Sequence, residues 1–264
     1  MDYIKPVIIM KIIVIINNKG GVGKTTSAVN LSASLAALNK KTLLIDIDPS
    51  ASASAHLGFY AADNLQDKPV TLCDYLLNKS DKLDDYIHET GIKNLWCLPS
   101  EPSLDDFYQD MQQDDDLSFF ITRKQLDEKY DFVIVDCPPN MGSLSLNILA
   151  IADYALIPVM TQYIALTGLD LTLKLINKVQ RRLNKNLKIL GIFGTMFDRR
   201  TKSAKIVLQN LQEKYGKQFM NTVIGINSKL IEAYEERKPI MLYNKRARGN
   251  LEYFELAKEI IKKV

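Results

Sequence analysis

The chain has 264 residues, of which 47% are hydrophobic and 25% are charged, and its formal net charge is +3. These proportions indicate an ordinary soluble globular protein, and no apolar run is long enough to predict a membrane-spanning helix. The spacing of the cysteines argues against a disulfide framework, a zinc ribbon and a cysteine-ligated cluster, and favours a reducing, cytoplasmic compartment. They are Cys73, Cys97 and Cys137.

The first predicted element is a buried strand. Residues 1–17 look like a secretion signal, but Lys11 interrupts the apolar run, which leads into a glycine-rich loop without a small-residue cleavage site. We expect a single domain over residues 1–264, in which residues 1–9 are an upstream extension if Met10 is the true start.

Short apolar runs alternate with helical patterns along the chain. Strands buried on both faces of a parallel sheet are predicted at residues 12–16, 42–47, 132–135, 154–158 and 189–193. Weaker strand candidates are residues 95–98 and 222–224. Helices are predicted at residues 25–38, 169–183 and 203–215, the first with a stripe of Ala28, Leu31, Leu35 and Leu38. This alternation predicts an α/β fold with a doubly wound, mostly parallel sheet flanked by helices.

A glycine-rich loop, Asn17 to Thr26, connects the first strand to the first helix. A strand, a loop ending in Gly-Lys-Thr and a helix, in this order, predict a phosphate-binding loop. We expect Lys24 to neutralise the β- and γ-phosphates, Thr25 to bind Mg²⁺ and Thr26 to donate to the α-phosphate. Backbone N–H groups of the loop would complete the site at the helix N-terminus; they belong to Gly20, Gly21, Val22 and Gly23.

The loop departs from the usual pattern at its entrance. Asn18 stands where glycine is usual, and Lys19 precedes the twin glycines. The resulting KGGVGKTT is the deviant Walker A motif, and from Met10 onward the chain resembles the ParA/MinD family of ATPases. The resemblance implies a P-loop NTPase fold with ATP and Mg²⁺ as cofactors. It also implies that Lys19 crosses a dimer interface to the partner's ATP, and that Gly20 lies where two backbones approach closely.

Two predicted strands end in acidic residues. Asp46 and Asp48 end the second strand, and the period of 2 places both on one face, at the sheet edge where open α/β folds bind ligands. The resemblance implies that Asp48 positions the attacking water and Asp46 supports the Mg²⁺ shell, while the alternative for Asp48 is a cap on the turn before Pro49. Asp136 follows residues 132–135 and fits a Walker B carboxylate that holds Mg²⁺ through water.

Downstream segments resemble the ParA/Soj branch of the family, and MinD and the nitrogenase iron protein lack them. They include residues 195–201 (TMFDRRT) and 238–240 (KPI). Two departures are Gly225-Ile226, which replace the family's Pro-Arg, and Gln162, which replaces an acidic residue. Asn227 stays a candidate adenine contact.

Charge is distributed unevenly. Residues 188–248 hold 13 Lys or Arg against 5 Asp or Glu, a balance of +8, whereas residues 101–116 hold seven acids and no base. Such runs are commonly solvated helix faces. The resemblance implies instead that the basic half binds double-stranded DNA without sequence preference, which needs only positive charge opposite phosphates. The candidate DNA contacts are Arg199, Arg200, Lys202, Lys205, Lys229, Lys245, Arg246 and Arg248.

The sequence therefore predicts a ParA-like ATPase that forms an ATP-dependent homodimer, associates with the nucleoid in the cytoplasm, and segregates DNA or positions a cargo with a ParB-like partner that stimulates slow hydrolysis. One alternative is a MinD-like membrane-associated regulator, because apolar residues recur at helical spacing near the C-terminus; we expect core packing there and no stable membrane anchor. These residues are Leu251, Phe254, Ala257 and Ile261. The other alternative is a scaffold with ATP as a structural ligand.

Overall fold

A computed structural model describes residues 10–60, 68–78, 82–111, 123–126, 129–139, 142–162 and 166–264. The upstream extension suggested for residues 1–9 and the end of the acidic stretch, residues 112–116, lie outside the described residues.

The centre of the fold is a sheet of seven strands. They are Lys11–Ile15 (β1), Thr42–Asp46 (β2), His88–Glu89 (β3), Leu95–Leu98 (β4), Phe132–Asp136 (β5), Tyr154–Met160 (β6) and Lys188–Thr195 (β7). Their order is β3-β4-β2-β5-β1-β6-β7. Every pairing is parallel except that of β3 with β4. The predicted doubly wound, mostly parallel sheet is confirmed, as is the weaker candidate at Leu95–Leu98, whereas the two-residue β3 was not predicted.

Helices flank this sheet, and the predicted ones are confirmed to within three residues at each end. Those in the described part of the chain are Lys24–Ala37 (α1), Ser52–His56 (α2), Leu72–Leu77 (α3), Ser103–Met111 (α4), Arg123–Leu126 (α5), Ser143–Ile151 (α6), Leu166–Arg182 (α7), Lys202–Tyr215 (α8), Ser228–Glu235 (α9), Ile240–Tyr243 (α10) and Arg248–Lys263 (α11).

Strand β1 lies inside the sheet and contributes side chains to the hydrophobic cores on both of its faces. Ile12 and Val14 pack into one hydrophobic core, and Ile13 and Ile15 pack into the other. Because both faces are covered, the strand is apolar and buried from Ile12 to Ile15. It pairs with β5 on one side and β6 on the other, which makes its carboxyl end the switch point at which such sheets bind ligands.

Helix α1 is buried more completely than a single apolar stripe predicts, because α11 packs beside it on the same face of the sheet. The hydroxyls of Ser27 and Tyr253 lie 3.0 Å apart at this contact. Small and polar side chains of α1 are therefore buried as well, among them Asn30, Ser32 and Ser34.

Helix α11 packs in the core, as expected. Of the predicted stripe, Ala257 is fully buried and Phe254 and Ile261 are half-buried, whereas Leu251 is 57% exposed and does not belong to the packed face. The fully buried apolar positions of the helix lie in the same core as α1. They are Tyr253, Leu256, Ala257 and Ile260.

The weaker strand candidate at residues 222–224 is wrong. Ile224 donates to the carbonyl of Gly194 in β7 at 2.8 Å, but no ladder forms there because carboxylates of α11 take neighbouring N–H groups. Thr222 donates to Glu259 at 3.0 Å, and Gly225 donates to Glu252 at 2.8 Å. The segment is therefore held by hydrogen bonds to α11 as well as to β7.

Candidate functional site

The glycine-rich loop encloses a cavity at the N-terminus of α1. Gly21 and Gly23 have φ angles of 72° and 84°, in the left-handed region that favours glycine. Among the residues that the structure describes, no atom outside the adjoining backbone lies within 4 Å of the position that a Cβ would take at either residue or at Gly20. The cavity has a volume of about 450 Å³ and faces the helix N-terminus, where free N–H groups favour an anion. Its lining includes Lys24, Thr25, Thr26 and Asp48.

Lys24 lies at the base of this cavity and is only 7% exposed. Its ammonium donates to the carbonyl of Lys19 at 3.2 Å. Burial lowers the pKa of Lys24, and the nearby carboxyl of Asp136 opposes that shift. A buried ammonium beside an open cradle of N–H groups fits the phosphates of a nucleotide.

Two buried aspartates face each other in register across β2 and β5, and their surroundings differ. Asp46 accepts hydrogen bonds from the Ser54 amide at 2.9 Å, the Ser54 hydroxyl at 2.7 Å and the Asp48 amide at 3.1 Å. Neither carboxylate oxygen of Asp136 has a partner within hydrogen-bond distance among the described residues, although the nearby hydroxyl of Thr25 acts to lower its pKa. Burial raises the pKa of Asp46 to about 6. Burial and the charge of Asp46 raise the pKa of Asp136 well above its usual value.

The unpartnered carboxylate of Asp136, with Thr25 nearby, fits Mg²⁺. Burying a carboxylate without a partner is costly, so it indicates a missing cation. The described residues contain no group of three or more His, Cys, Asp or Glu side chains that could hold a metal ion. Mg²⁺ commonly has one or two protein ligands and takes the rest from phosphates and water. The oxygens of Asp46 are engaged by Ser54 and Asp48, so any support it gives the metal shell is indirect.

Asp48 caps the turn at Pro49, which is one of the two interpretations of its sequence position, and its place in the cavity leaves the other open. Its Oδ1 accepts from the amide of Ser50 at 2.9 Å, which caps the turn after Pro49. The same side chain lines the phosphate cavity with Lys24 and Thr25. A half-buried carboxylate in this place is able to orient a water molecule against a phosphate.

Lys19 is half-buried and directly precedes the exposed Gly20 and Gly21, which line the rim of the cavity. Its amide donates to Oδ1 of Asn17 at 2.9 Å, whereas its ammonium makes no ion pair among the described residues. Since Lys24 already occupies the lysine position inside the loop, the charge of Lys19 is available at the rim.

A second cavity of about 420 Å³ adjoins the first and shares Gly23, Thr26 and Met196 with it. Its walls are mainly apolar, as suits a purine base beside a phosphate site. Asn227 lines it and also caps α9, because its Oδ1 accepts from the Lys229 amide at 2.9 Å. The departures at Gln162 and Gly225-Ile226 line this cavity too.

Met196 was not singled out from the sequence, although it belongs to the 195–201 segment. It has a positive φ of 50° and lines both cavities. A non-glycine residue with this backbone conformation after a strand commonly marks a functional site, but no sequence pattern reports a backbone angle.

The eight candidate DNA contacts fall into two groups. Arg199 and Arg248 both pair with Glu252, at 3.0 and 3.5 Å, and Lys229 pairs with Glu232 at 2.6 Å. These three charges are partly neutralised within the protein. Arg200 pairs with Asp198 at 2.9 Å, but its side chain is 86% exposed. The remaining candidates are exposed and form no ion pair in the described part: Lys202, Lys205, Lys245 and Arg246.

None of the helices in the described ranges is both long and apolar enough to cross a membrane.

Comparison with known proteins gives consistent matches over nearly the whole chain. A family model described as an AAA domain matches residues 10–189. The chain is 38% identical over 253 residues to the chromosome-partitioning ATPase Soj of Treponema pallidum (strain Nichols), which covers 95% of this chain and 97% of that protein. It is also 38% identical over 252 residues to the sporulation initiation inhibitor protein Soj of Bacillus subtilis (strain 168), covering 95% and 98%.

The fold is similar to that of cobyrinic acid a,c-diamide synthase from Mycobacterium smegmatis with bound ADP and magnesium. The TM-score is 0.78 and the sequence identity is 25%, over 96% of this chain and 94% of that chain.

Proposed function

Because the chain belongs to the ParA/Soj family of partitioning ATPases, we propose that it couples ATP hydrolysis to an ATP-dependent homodimer that binds DNA and drives segregation or cargo positioning. It is an ATPase with ATP and Mg²⁺ as cofactors. The observation that carries the proposal is the pair of lysines at one loop, with Lys24 buried at its base and Lys19 at its rim. We propose that residues 1–264 act as one domain.

Within one subunit, different residues at the phosphate cavity would bind different parts of the nucleotide and its Mg²⁺. Lys24 and the loop amides from Gly20 to Gly23 would hold the phosphates, Thr26 would donate to the α-phosphate, and Asn227 would contact the base. Thr25 and Asp136 would hold Mg²⁺, which supplies charge neutralisation at the β- and γ-phosphates. The unpartnered oxygens of Asp136 support this assignment.

Lys19 would act in the second subunit. It directly precedes Gly20, which lines the cavity, and a Cβ at Gly20 would have no atom of the described residues within 4 Å. A second loop is therefore able to approach closely, and each Lys19 would reach the phosphates held by the partner subunit. Asp48 would orient the attacking water in this closed arrangement, so that hydrolysis depends on assembly.

The basic surface would bind DNA through phosphates. The exposed side chains of Lys202, Lys205, Lys245 and Arg246 support this role, with Arg200 beside them. A dimer doubles their charge, and such contacts carry no sequence preference. This would place the protein on the nucleoid, where a ParB-like protein would stimulate hydrolysis and release monomers.

A MinD-like membrane function is less well supported, because the apolar face of α11 is buried against α1. The two functions are separated by testing one preparation with ATP and with ADP, on random-sequence DNA in a gel shift and on anionic vesicles in a flotation assay. We expect an ATP-dependent DNA shift that fades with salt, and no flotation. Flotation without a DNA shift would overturn the proposal. An ATP-dependent DNA shift by a protein that does not hydrolyse ATP would favour the scaffold.

A further inference from the structure

The first two residues of the glycine-rich loop form hydrogen bonds to β6 and α7. Asn17 donates through Nδ2 to the carbonyl of Pro158 in β6 at 2.7 Å. The amide of Asn18 donates to Oγ1 of Thr172 in α7 at 3.0 Å. Asn17 and Thr172 are both fully buried. The entrance of the phosphate loop is thus tied to elements more than 140 residues away along the chain.

Gly168 provides the close approach that these contacts require. A Cβ added there would lie 2.8 Å from the Cβ of Lys19, 3.2 Å from Oδ1 of Asn17 and 3.4 Å from the amide nitrogen of Lys19. The Cβ of Lys19 is bonded directly to the loop backbone, so rotating a flexible side chain cannot relieve the contact. A side chain at residue 168 must displace the loop or the helix.

Thr172 is oriented for its contact by the same turn of α7. Its hydroxyl donates to the carbonyl of Gly168 at 2.8 Å, which leaves an oxygen lone pair to accept from Asn18. Asn17 in turn accepts from the amide of Lys19. Thr172 therefore holds the Asn18 amide, Asn17 holds the Lys19 amide, and Gly168 leaves the space in which both contacts form. Together they orient the backbone from which the side chain of Lys19 extends.

We propose that Gly168 and Thr172 are positioning residues for Lys19, which hold the loop entrance so that its ammonium is presented to a second subunit. The inference rests on the dimer role given to Lys19 above. Neither residue lines the phosphate cavity. Substituting either residue would therefore weaken dimerisation more than it weakens nucleotide binding within one subunit.

The first test measures the hydrogen bonding of the loop entrance directly and does not depend on dimerisation. Amide hydrogen exchange is measured by NMR on the nucleotide-free protein and on Thr172→Val, Thr172→Ser and Gly168→Ala, with Gly142→Ala as the matched control because a Cβ there meets no atom within 4 Å. We expect the Asn18 amide to exchange about tenfold faster in Thr172→Val, which loses one buried hydrogen bond, and at the normal rate in Thr172→Ser and Gly142→Ala. Unchanged exchange in Thr172→Val, at unchanged stability, would overturn the proposal.

The second test measures dimerisation by sedimentation with Mg-ATP in an Asp48→Ala background. We expect dimerisation to weaken at least about tenfold in Gly168→Ala and severalfold in Thr172→Val, with Thr172→Ser restoring it and ATP affinity changing less than about threefold throughout. If Lys19→Ala abolishes the dimer while Gly168→Ala and Thr172→Val leave it intact, the positioning role fails and the dimer role stands. If Lys19→Ala dimerises normally, the proposed function of Lys19 fails, and the exchange experiment alone decides whether the entrance is held.

Discussion

The phosphate cavity and the basic surface are built in opposite ways. The cavity concentrates its chemistry in a few buried groups, Lys24, Asp136 and Asp46, held by backbone geometry at the ends of strands. The basic surface spreads its charge over exposed side chains, and several of these are partly neutralised by Glu252 and Glu232. Single substitutions should therefore have large effects in the cavity and graded effects on the surface.

The largest effect is expected for Lys24→Ala. Removing the buried ammonium leaves phosphate charge without its partner, which costs about 2–5 kcal/mol and weakens ATP binding at least about thirtyfold. Titration calorimetry with a nonhydrolysable ATP analogue measures the change. Normal affinity would show that the cavity does not hold the triphosphate.

Asp48→Ala should reduce hydrolysis about a hundredfold, since a positioned base contributes on this order, while ATP binding and dimerisation persist. Phosphate release under saturating ATP tests the first part, and calorimetry the second. Because Oδ1 of Asp48 caps the turn through Ser50, Asp48→Asn is the matched control that keeps an acceptor for this amide. Wild-type turnover in both variants would show that Asp48 takes no part in ATP hydrolysis.

Asp136→Asn should stabilise the nucleotide-free protein while impairing Mg²⁺-dependent hydrolysis. A carboxyl whose native pKa is raised binds more protons when folded, so the free energy of unfolding falls as the pH rises through the window above its usual value. At pH 7 we expect Asp136→Asn to have a higher free energy of unfolding than the wild type, and this gain to shrink at pH 4, where the buried carboxyl of the wild type is protonated. Urea unfolding at pH 4 and pH 7 measures this.

Asp46→Asn provides the contrast. Asp46 accepts from three donors, and an amide offers only one acceptor oxygen, so lost hydrogen bonds offset the benefit of removing a buried carboxylate whose pKa is also raised. We therefore expect Asp46→Asn to gain less stability at pH 7 than Asp136→Asn. Equal effects of the two substitutions would mean that the difference in their hydrogen bonding has no energetic consequence.

The smallest effect is expected on the basic surface. Arg200→Glu should weaken binding to random DNA about tenfold at low salt and lower the salt dependence, because one phosphate contact is lost per subunit. Lys178→Glu, an exposed residue of α7 outside the basic segment, is the matched charge reversal. If both variants bind alike, DNA binding does not use this surface.

The same contrast explains what the sequence was able to predict. The phosphate loop is encoded locally, so residues 17–26 and the strand-ending aspartates were identified by number, and the buried strands by their continuous apolarity. The segment at residues 222–224 was misread because carboxylates from α11, distant in sequence, take its N–H groups.

Tertiary contacts also decided the features that no local pattern reports. The burial of α1 depends on α11, and the pairing of Arg199 and Arg248 with one carboxylate depends on how α11 packs. The backbone angle of Met196 and the contact of Gly168 with Lys19 are equally invisible in the sequence.

The central claim is that Lys19 makes two subunits close around their nucleotides. Sedimentation of Asp48→Ala with saturating Mg-ATP tests it most directly, with ADP and the double variant Lys19→Ala/Asp48→Ala as comparisons. We expect a dimer with ATP, and monomers with ADP or without Lys19. A monomer under all conditions, or a dimer that forms equally well without Lys19, would contradict it.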